Sequence, residues 1–181
     1  FGRTGQTFAA QSFGVTPDLM TMAKGLTNGA QPMGAVAISE RIHDTIFDVA
    51  PEGGIEFFHG YTYSGHPAAC AAGLATLDIY EREGLFDRGR ALSPYFLEGL
   101  FSLRDVPVVA DIRGYGMIGA IDVHADGAPG KRAHMFQKKL FDNGLHLKAT
   151  GDSAIVAPPL IAERAHVDDI VEILRRTLKS I

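Results

Sequence analysis

The sequence predicts an α/β fold, and three observations carry that prediction. An apolar run, Pro17 to Ala23, ends at a lysine and a glycine-rich turn, and a second apolar run, Met33 to Ile38, leaves it. Long stretches with helical spacing of apolar residues follow, the first opening at Pro67 and the last at about His166. Between them, two strand-like runs flank Gly114-Tyr115-Gly116.

The turn is the first element to justify. Pro17 to Ala23 reads as a short, largely buried strand that delivers Lys24 to its end. Gly25, Asn28 and Gly29 are the residues suited to positive φ in the turn. A lysine held at a strand end, away from bulk water, loses solvation that favours its ammonium form. The free amine can then attack a carbonyl. The alternative on spacing alone is a solvated lysine beside a turn.

Gly5 to Phe13 reads as a loop with a helical turn. Ser39 is placed to cap a helix carrying Ile42, Ile46 and Phe47 on one face. Pro51 to Gly54 breaks the chain, and Ile55 to Tyr63 is an aromatic loop with His59, Tyr61, Thr62 and Tyr63 as hydrogen-bonding groups. His59, Tyr61 and His66 read as packing or capping residues. Pro67 sits where a first helical turn favours proline, and the helix is expected to run to about Glu83. Its first half is small-sided, through Ala68, Ala69, Ala71, Ala72, Gly73 and Ala75, which permits close approach of a neighbour. Gly84 ends it, and a further helix is expected from Leu85 to Leu103.

From Val106 the composition shifts. Val108 to Arg113 and Met117 to Val123 read as paired strands, followed by a helix closing at Asn143-Gly144. Leu145 to Lys148 and Ala154 to Ala157 read as short strands. In the last helix Val167, Ile170, Val171, Leu174 and Leu178 form one stripe. Asp168 and Asp169 sit early, and Arg175, Arg176 and Lys179 late, as the helix dipole favours. A division near residue 80 follows, into residues 1–80 and 81–181.

Composition narrows the function classes. The chain has 181 residues, 46% hydrophobic and 21% charged, as in soluble globular proteins. A net charge of −4 offers no basic field, which argues against nucleic acid and anionic membrane as partners. No apolar stretch is long enough to span a bilayer, and no signal peptide is visible; the cytoplasm is the expected compartment. The one cysteine, Cys70, allows no internal disulfide and reads as a small buried residue. The seven histidines are scattered, with no metal-ligand spacing. A Gly-x-Ser-x-Gly elbow and a Walker loop are both absent.

Several motifs, in order and with matching gaps, resemble one family. They are Phe1-Gly2-Arg3-Thr4-Gly5, Pro17-Asp18, Ala23-Lys24-Gly25 and Pro32-Met33-Gly34-Ala35-Val36. Beyond these come His59-Gly60-Tyr61-Thr62-Tyr63-Ser64-Gly65-His66-Pro67, Gly151-Asp152 and Pro158-Pro159-Leu160. Together they resemble the class III (omega-type) aminotransferases, closest to the beta-alanine:pyruvate branch, over nearly the whole chain. The resemblance implies the carboxy-terminal part of a fold-type-I transferase: the end of a mostly parallel large-domain sheet, then a small α+β domain. It implies a homodimer working with pyridoxal 5′-phosphate, moving an amino group from a beta- or omega-amino acid or amine to pyruvate or a similar oxo acid.

By that resemblance Lys24 is the lysine that joins pyridoxal phosphate as a Schiff base. Thr62 matches the threonine that binds the cofactor phosphate of the neighbouring subunit, and Arg3 is an ion-pair candidate for the cofactor domain. Lys148, in Lys148-Ala149-Thr150-Gly151-Asp152, stands where the family usually carries an arginine that binds a substrate carboxylate. The family's ring-nitrogen aspartate, amino-terminal phosphate loop and ring-stacking aromatic have no counterpart in this sequence. The chain begins at Phe1, inside a family-like motif and without an initiator methionine. The expectation is an amino-terminal portion lost, cleaved or not encoded with it. Three readings stay open. The chain is part of a longer transaminase, a truncated inactive remnant that self-associates without cofactor, or one half of a split enzyme active beside its amino-terminal half.

Overall fold

A computed structural model describes residues 1–60 and 62–181. Tyr61, expected to pack or cap, lies outside the described residues. The chain divides into two compact units. The first comprises residue 1 and residues 13–84; the second comprises residues 2–12 and 85–181.

The segment 2–12 carries one helical turn, α1 (Ala9–Ser12). It joins the second unit because its backbone runs along a hairpin tip: Met117 N donates to Arg3 O at 2.7 Å. A Cβ on Gly116 would lie 2.1 Å from that carbonyl, so only glycine permits the approach. The Arg3 guanidinium donates to the carbonyls of Met117, at 3.2 Å, and Pro158. These backbone contacts occupy the side chain expected to serve as an ion-pair partner.

In the first unit, β1 (Leu19–Ala23) pairs antiparallel with β2 (Gly34–Ile38). Helices α2 (Glu40–Asp48) and α3 (Pro67–Arg82) follow. Two expectations are corrected here. The strands are exposed or half-buried rather than largely buried, with Leu19 at 58% and Val36 at 61% exposure. The mostly parallel sheet is replaced, among the described residues, by a two-stranded antiparallel one. The physical reason is the same for both. The ten residues 24–33 return the chain beside itself, and among the described residues no third strand joins the pair.

Ser39 stands at the N-cap of α2 without a side-chain cap bond; its Oγ donates to Asp18 Oδ1 at 3.4 Å instead. Its backbone N also bonds Asp18 O, so the residue serves the β1 entry rather than the helix. In α3, Pro67 takes the first-turn position as expected. The helix buries Ala69, Gly73 and Thr76. Cys70 is half-buried rather than buried, because it lies off that stripe.

The second unit holds the main core. Helix α4 (Leu85–Phe101) leads through a 3₁₀ turn, Ser102–Asp105, to the hairpin of β3 (Val109–Tyr115) and β4 (Ile118–Val123). Gly116, at φ 61°, takes the first central position of the two-residue turn. Then come α5 (Lys131–Asp142), β5 (Lys148–Thr150), β6 (Ser153–Val156) and α6 (Arg164–Leu178). The short strands lie at 148–150 and 153–156, not at 145–148 and 154–157. Leu145 is taken up by the helix end, where its N bonds Leu140 O.

The sheet order is β3-β4-β6-β5, antiparallel throughout. Its inner face buries Ile112, Ile121, Val123, Ala154 and Val156 among Phe96, Leu100, Phe136, Val167, Leu174 and Leu178. Arg175 Nη1 donates to both carboxylate oxygens of Asp105, at 2.7 and 2.9 Å, and its Nη2 to Ser102 O at 2.6 Å. That pairing holds the Asp105 carboxyl below its ordinary range. Among the described residues no helix is long and apolar enough to cross a membrane.

Candidate active site

Lys24 closes β1 with φ +56°, in the left-handed region that branched and long side chains avoid. The expectation placed Gly25, Asn28 and Gly29 there. The structure uses Lys24, Asn28 (φ 48°) and Gly29 (φ 80°). A lysine in this conformation costs about 1–2 kcal/mol of backbone energy. Such strain persists only where surrounding contacts over-determine it, and functional sites collect it. The side chain is exposed, which corrects the expectation of shielding from water. The reason is the uncovered β1–β2 pair at whose end it stands.

The turn beyond Lys24 is firmly built. Thr27, only 2% exposed, donates its Oγ1 to Gln31 O at 2.6 Å. Its backbone N bonds Lys24 O at 3.3 Å, and Ala30 N bonds Thr27 O at 2.9 Å.

Thr62 is exposed in a turn, 62–65, that enters α3. It lines a cleft of about 620 Å³ with Met33, Tyr63, Ser64, His66 and Cys70. Lys24 does not line that cleft, so the first unit presents the two residues separately. The helix end is suited to an anion. Cys70 N, bonding His66 O at 2.9 Å, is the first amide of α3 to find a helical partner. His66 holds the N-cap position but makes no side-chain cap bond, contrary to a capping role. The earlier N–H groups and the dipole therefore favour a negative group in the cleft. Thr62 lines the same cleft, so the donor chemistry on that side suits an anion such as phosphate.

In the second unit Lys148 is exposed on β5 and forms no ion pair among the described residues. Cross-strand register puts it in one row with Ile155, Ala120 and Arg113 on the outer face of the sheet. Three strand spacings, about 14 Å in all, separate Lys148 from Arg113. Arg113 had not been singled out from sequence. It donates to Asp122 Oδ2 at 2.5 Å, to Asp111 Oδ2 at 3.4 Å and to Ser153 Oγ at 3.2 Å. The guanidinium holds the Asp122 carboxyl below its usual range, helped by the Ser153 hydroxyl. The signal that could have found it was alternation: Asp111, Arg113 and Asp122 all fall on the polar side of a period-2 pattern. Among the described residues no group of three His, Cys, Asp or Glu could hold a metal ion.

Known proteins resemble the chain over nearly its whole length. The family model described as aminotransferase class-III matches residues 1–178. An omega-aminotransferase of Caulobacter vibrioides is 50% identical over 179 residues, which are 98% of this chain and 40% of that protein. A beta-alanine–pyruvate aminotransferase of Pseudomonas aeruginosa is 44% identical over 183 residues, covering 100% of this chain and 41% of the relative. The omega transaminase from Pseudomonas jessenii, solved in complex with PMP, superposes with a TM-score of 0.93 at 34% identity. That match covers 99% of this chain and 41% of the other. The chain thus spans about 40% of the length of the curated relatives it matches. Its α/β fold is the carboxy-terminal part of a fold-type-I pyridoxal-phosphate transferase. On the match across residues 1–178 and these relatives, the chain belongs to the class III aminotransferases, a family that works with pyridoxal 5′-phosphate.

Proposed function

We propose that this chain is the carboxy-terminal part of a longer cytoplasmic homodimeric aminotransferase. It moves an amino group between a beta- or omega-amino acid, or an amine, and pyruvate. The observation that carries the reading is the end-to-end likeness to an omega-aminotransferase and a beta-alanine–pyruvate aminotransferase. Residues 1–80 then close the large cofactor-binding domain, and residues 81–181 form the small domain. Bound pyridoxal phosphate supplies the electron sink for the amino exchange. Lys24 holds the cofactor and, once released, carries a proton between carbons at the reacting centre. Thr62 and the amino end of α3 hold the phosphate across a twofold axis. Lys148 meets the substrate carboxylate.

The test is the full-length protein given pyridoxal phosphate, beta-alanine and pyruvate. Appearance of alanine supports the reading. Absence of exchange with every beta-amino acid, omega-amino acid and amine tried, while the yellow cofactor band forms, overturns it.

Two variants probe the assigned residues. Thr62→Ala removes a hydroxyl bond to a charged group and weakens cofactor binding by about 1.5–3 kcal/mol. Equilibrium titration of the full-length protein measures it, and an unchanged dissociation constant removes Thr62 from the site. Lys148→Arg replaces a point charge with a planar fork able to make two parallel bonds to a carboxylate. The expected result is a lower KM for pyruvate. An unchanged or higher value makes Lys148 only a solvated strand residue.

A further inference from the structure

The strain at Lys24 requires something to hold it, and α3 carries the means. Ala69, Gly73, Thr76 and Tyr80 recur at intervals of three and four, so they form one stripe of that helix. The stripe meets the turn after Lys24. A Cβ on Gly73 would lie 3.6 Å from Leu26 O and 3.5 Å from Met33 Sδ. One turn-pair further along, the Tyr80 hydroxyl donates to Gly25 O at 2.9 Å. Phe1 stacks on the Tyr80 ring, with centroids 6.2 Å apart and planes 19° apart. Phe1 also presses on Gly25, where an added Cβ would lie 2.7 Å from Phe1 Cδ2. Gly25, the residue that follows Lys24, is therefore held at its carbonyl by Tyr80 and at its Cα by Phe1, while the Lys24 carbonyl accepts from Thr27 N.

We infer that Tyr80 is a positioning residue for Lys24: with Phe1 it clamps the Gly25 peptide and keeps Lys24 in its left-handed conformation, which aims the amine. The inference deepens the proposed function and rests on Lys24 as the cofactor-bearing lysine. Without the hydroxyl, the Gly25 peptide can rotate and Lys24 can relax toward extended backbone. The direction of its side chain then varies, and the geometry of the amine against a bound ring is no longer unique.

Tyr80→Phe keeps the ring and its stack and removes only the hydroxyl. In this chain, hydrogen exchange at the Thr27 and Ala30 amides is expected to rise about tenfold, in line with loss of one hydrogen bond. Amides of the β3–β4 hairpin, in the other unit, keep their rates. In the full-length protein with pyridoxal phosphate, the pH midpoint of the visible cofactor band is expected to move by about half a unit or more. Tyr95→Phe, which removes a hydroxyl bonded to Asp168 instead, leaves that midpoint in place. A merely structural tyrosine would alter overall stability and not the midpoint. Unchanged turn exchange, or an unchanged midpoint, in Tyr80→Phe overturns the clamp. Failure of the wild-type protein to form the band at Lys24 overturns the function reading instead, and the exchange rates then decide the clamp alone.

Discussion

Replacing Lys24 with alanine in the full-length protein is expected to abolish transamination. Two roles are lost together. The cofactor loses its covalent anchor, and the proton between the two carbons loses its carrier. The second role alone is worth about 10²–10⁴ in rate. Alanine also relieves none of the φ +56° strain, since it too has a Cβ, so the backbone stays as it is or relaxes away. Overall folding should survive, because Lys24 is exposed and outside the main core. Steady turnover of the variant within tenfold of the parent would remove Lys24 from the chemistry.

The 181-residue chain by itself is expected to give no transaminase turnover and to associate into a dimer or larger species. The family's ring-nitrogen aspartate and phosphate loop have no counterpart in it. Without the aspartate nothing keeps the pyridine nitrogen protonated, and the ring withdraws electrons less well from developing negative charge. Association follows from surface. In the first unit Leu19, Val36, Phe47, Ile55, Phe58 and Leu74 are each at least half exposed, and among the described residues no strand pairs with the outer edges of β1 and β2. Turnover by the purified chain, free of contaminating enzyme, contradicts the first expectation. A monomer at high concentration contradicts the second.

Much of the fold was legible in the residues, and the failures have common causes. The start of α3 at Pro67 and its end before Gly84 were readable because those residue types have narrow backbone preferences. The α6 stripe was readable because periodicity reports the buried side directly: Val167, Leu174 and Leu178 are each at most 1% exposed. Burial of β1 was misread because an apolar run tells that a strand seeks cover, not whether this chain contains the cover. The same gap hid the exposure of Lys24. Its left-handed backbone was invisible for another reason: propensity assigns such positions to glycine and asparagine, and tertiary contacts overrode it here. Ser39 and His66 took cap positions without capping, since competing partners and loop geometry decide where a side chain turns. Lys24, Thr62 and Lys148 are candidates on sequence motifs alone, whereas Arg113 becomes visible only through the cross-strand register that sets it in one row with Lys148.

The account turns on one amine, and one measurement reaches it directly. The full-length protein is saturated with pyridoxal phosphate, reduced with borohydride, digested and mapped by mass spectrometry. The expected result is a single stoichiometric adduct on the peptide that contains Lys24. An adduct on another lysine, such as Lys131 or Lys148, or no stable adduct at all, contradicts it.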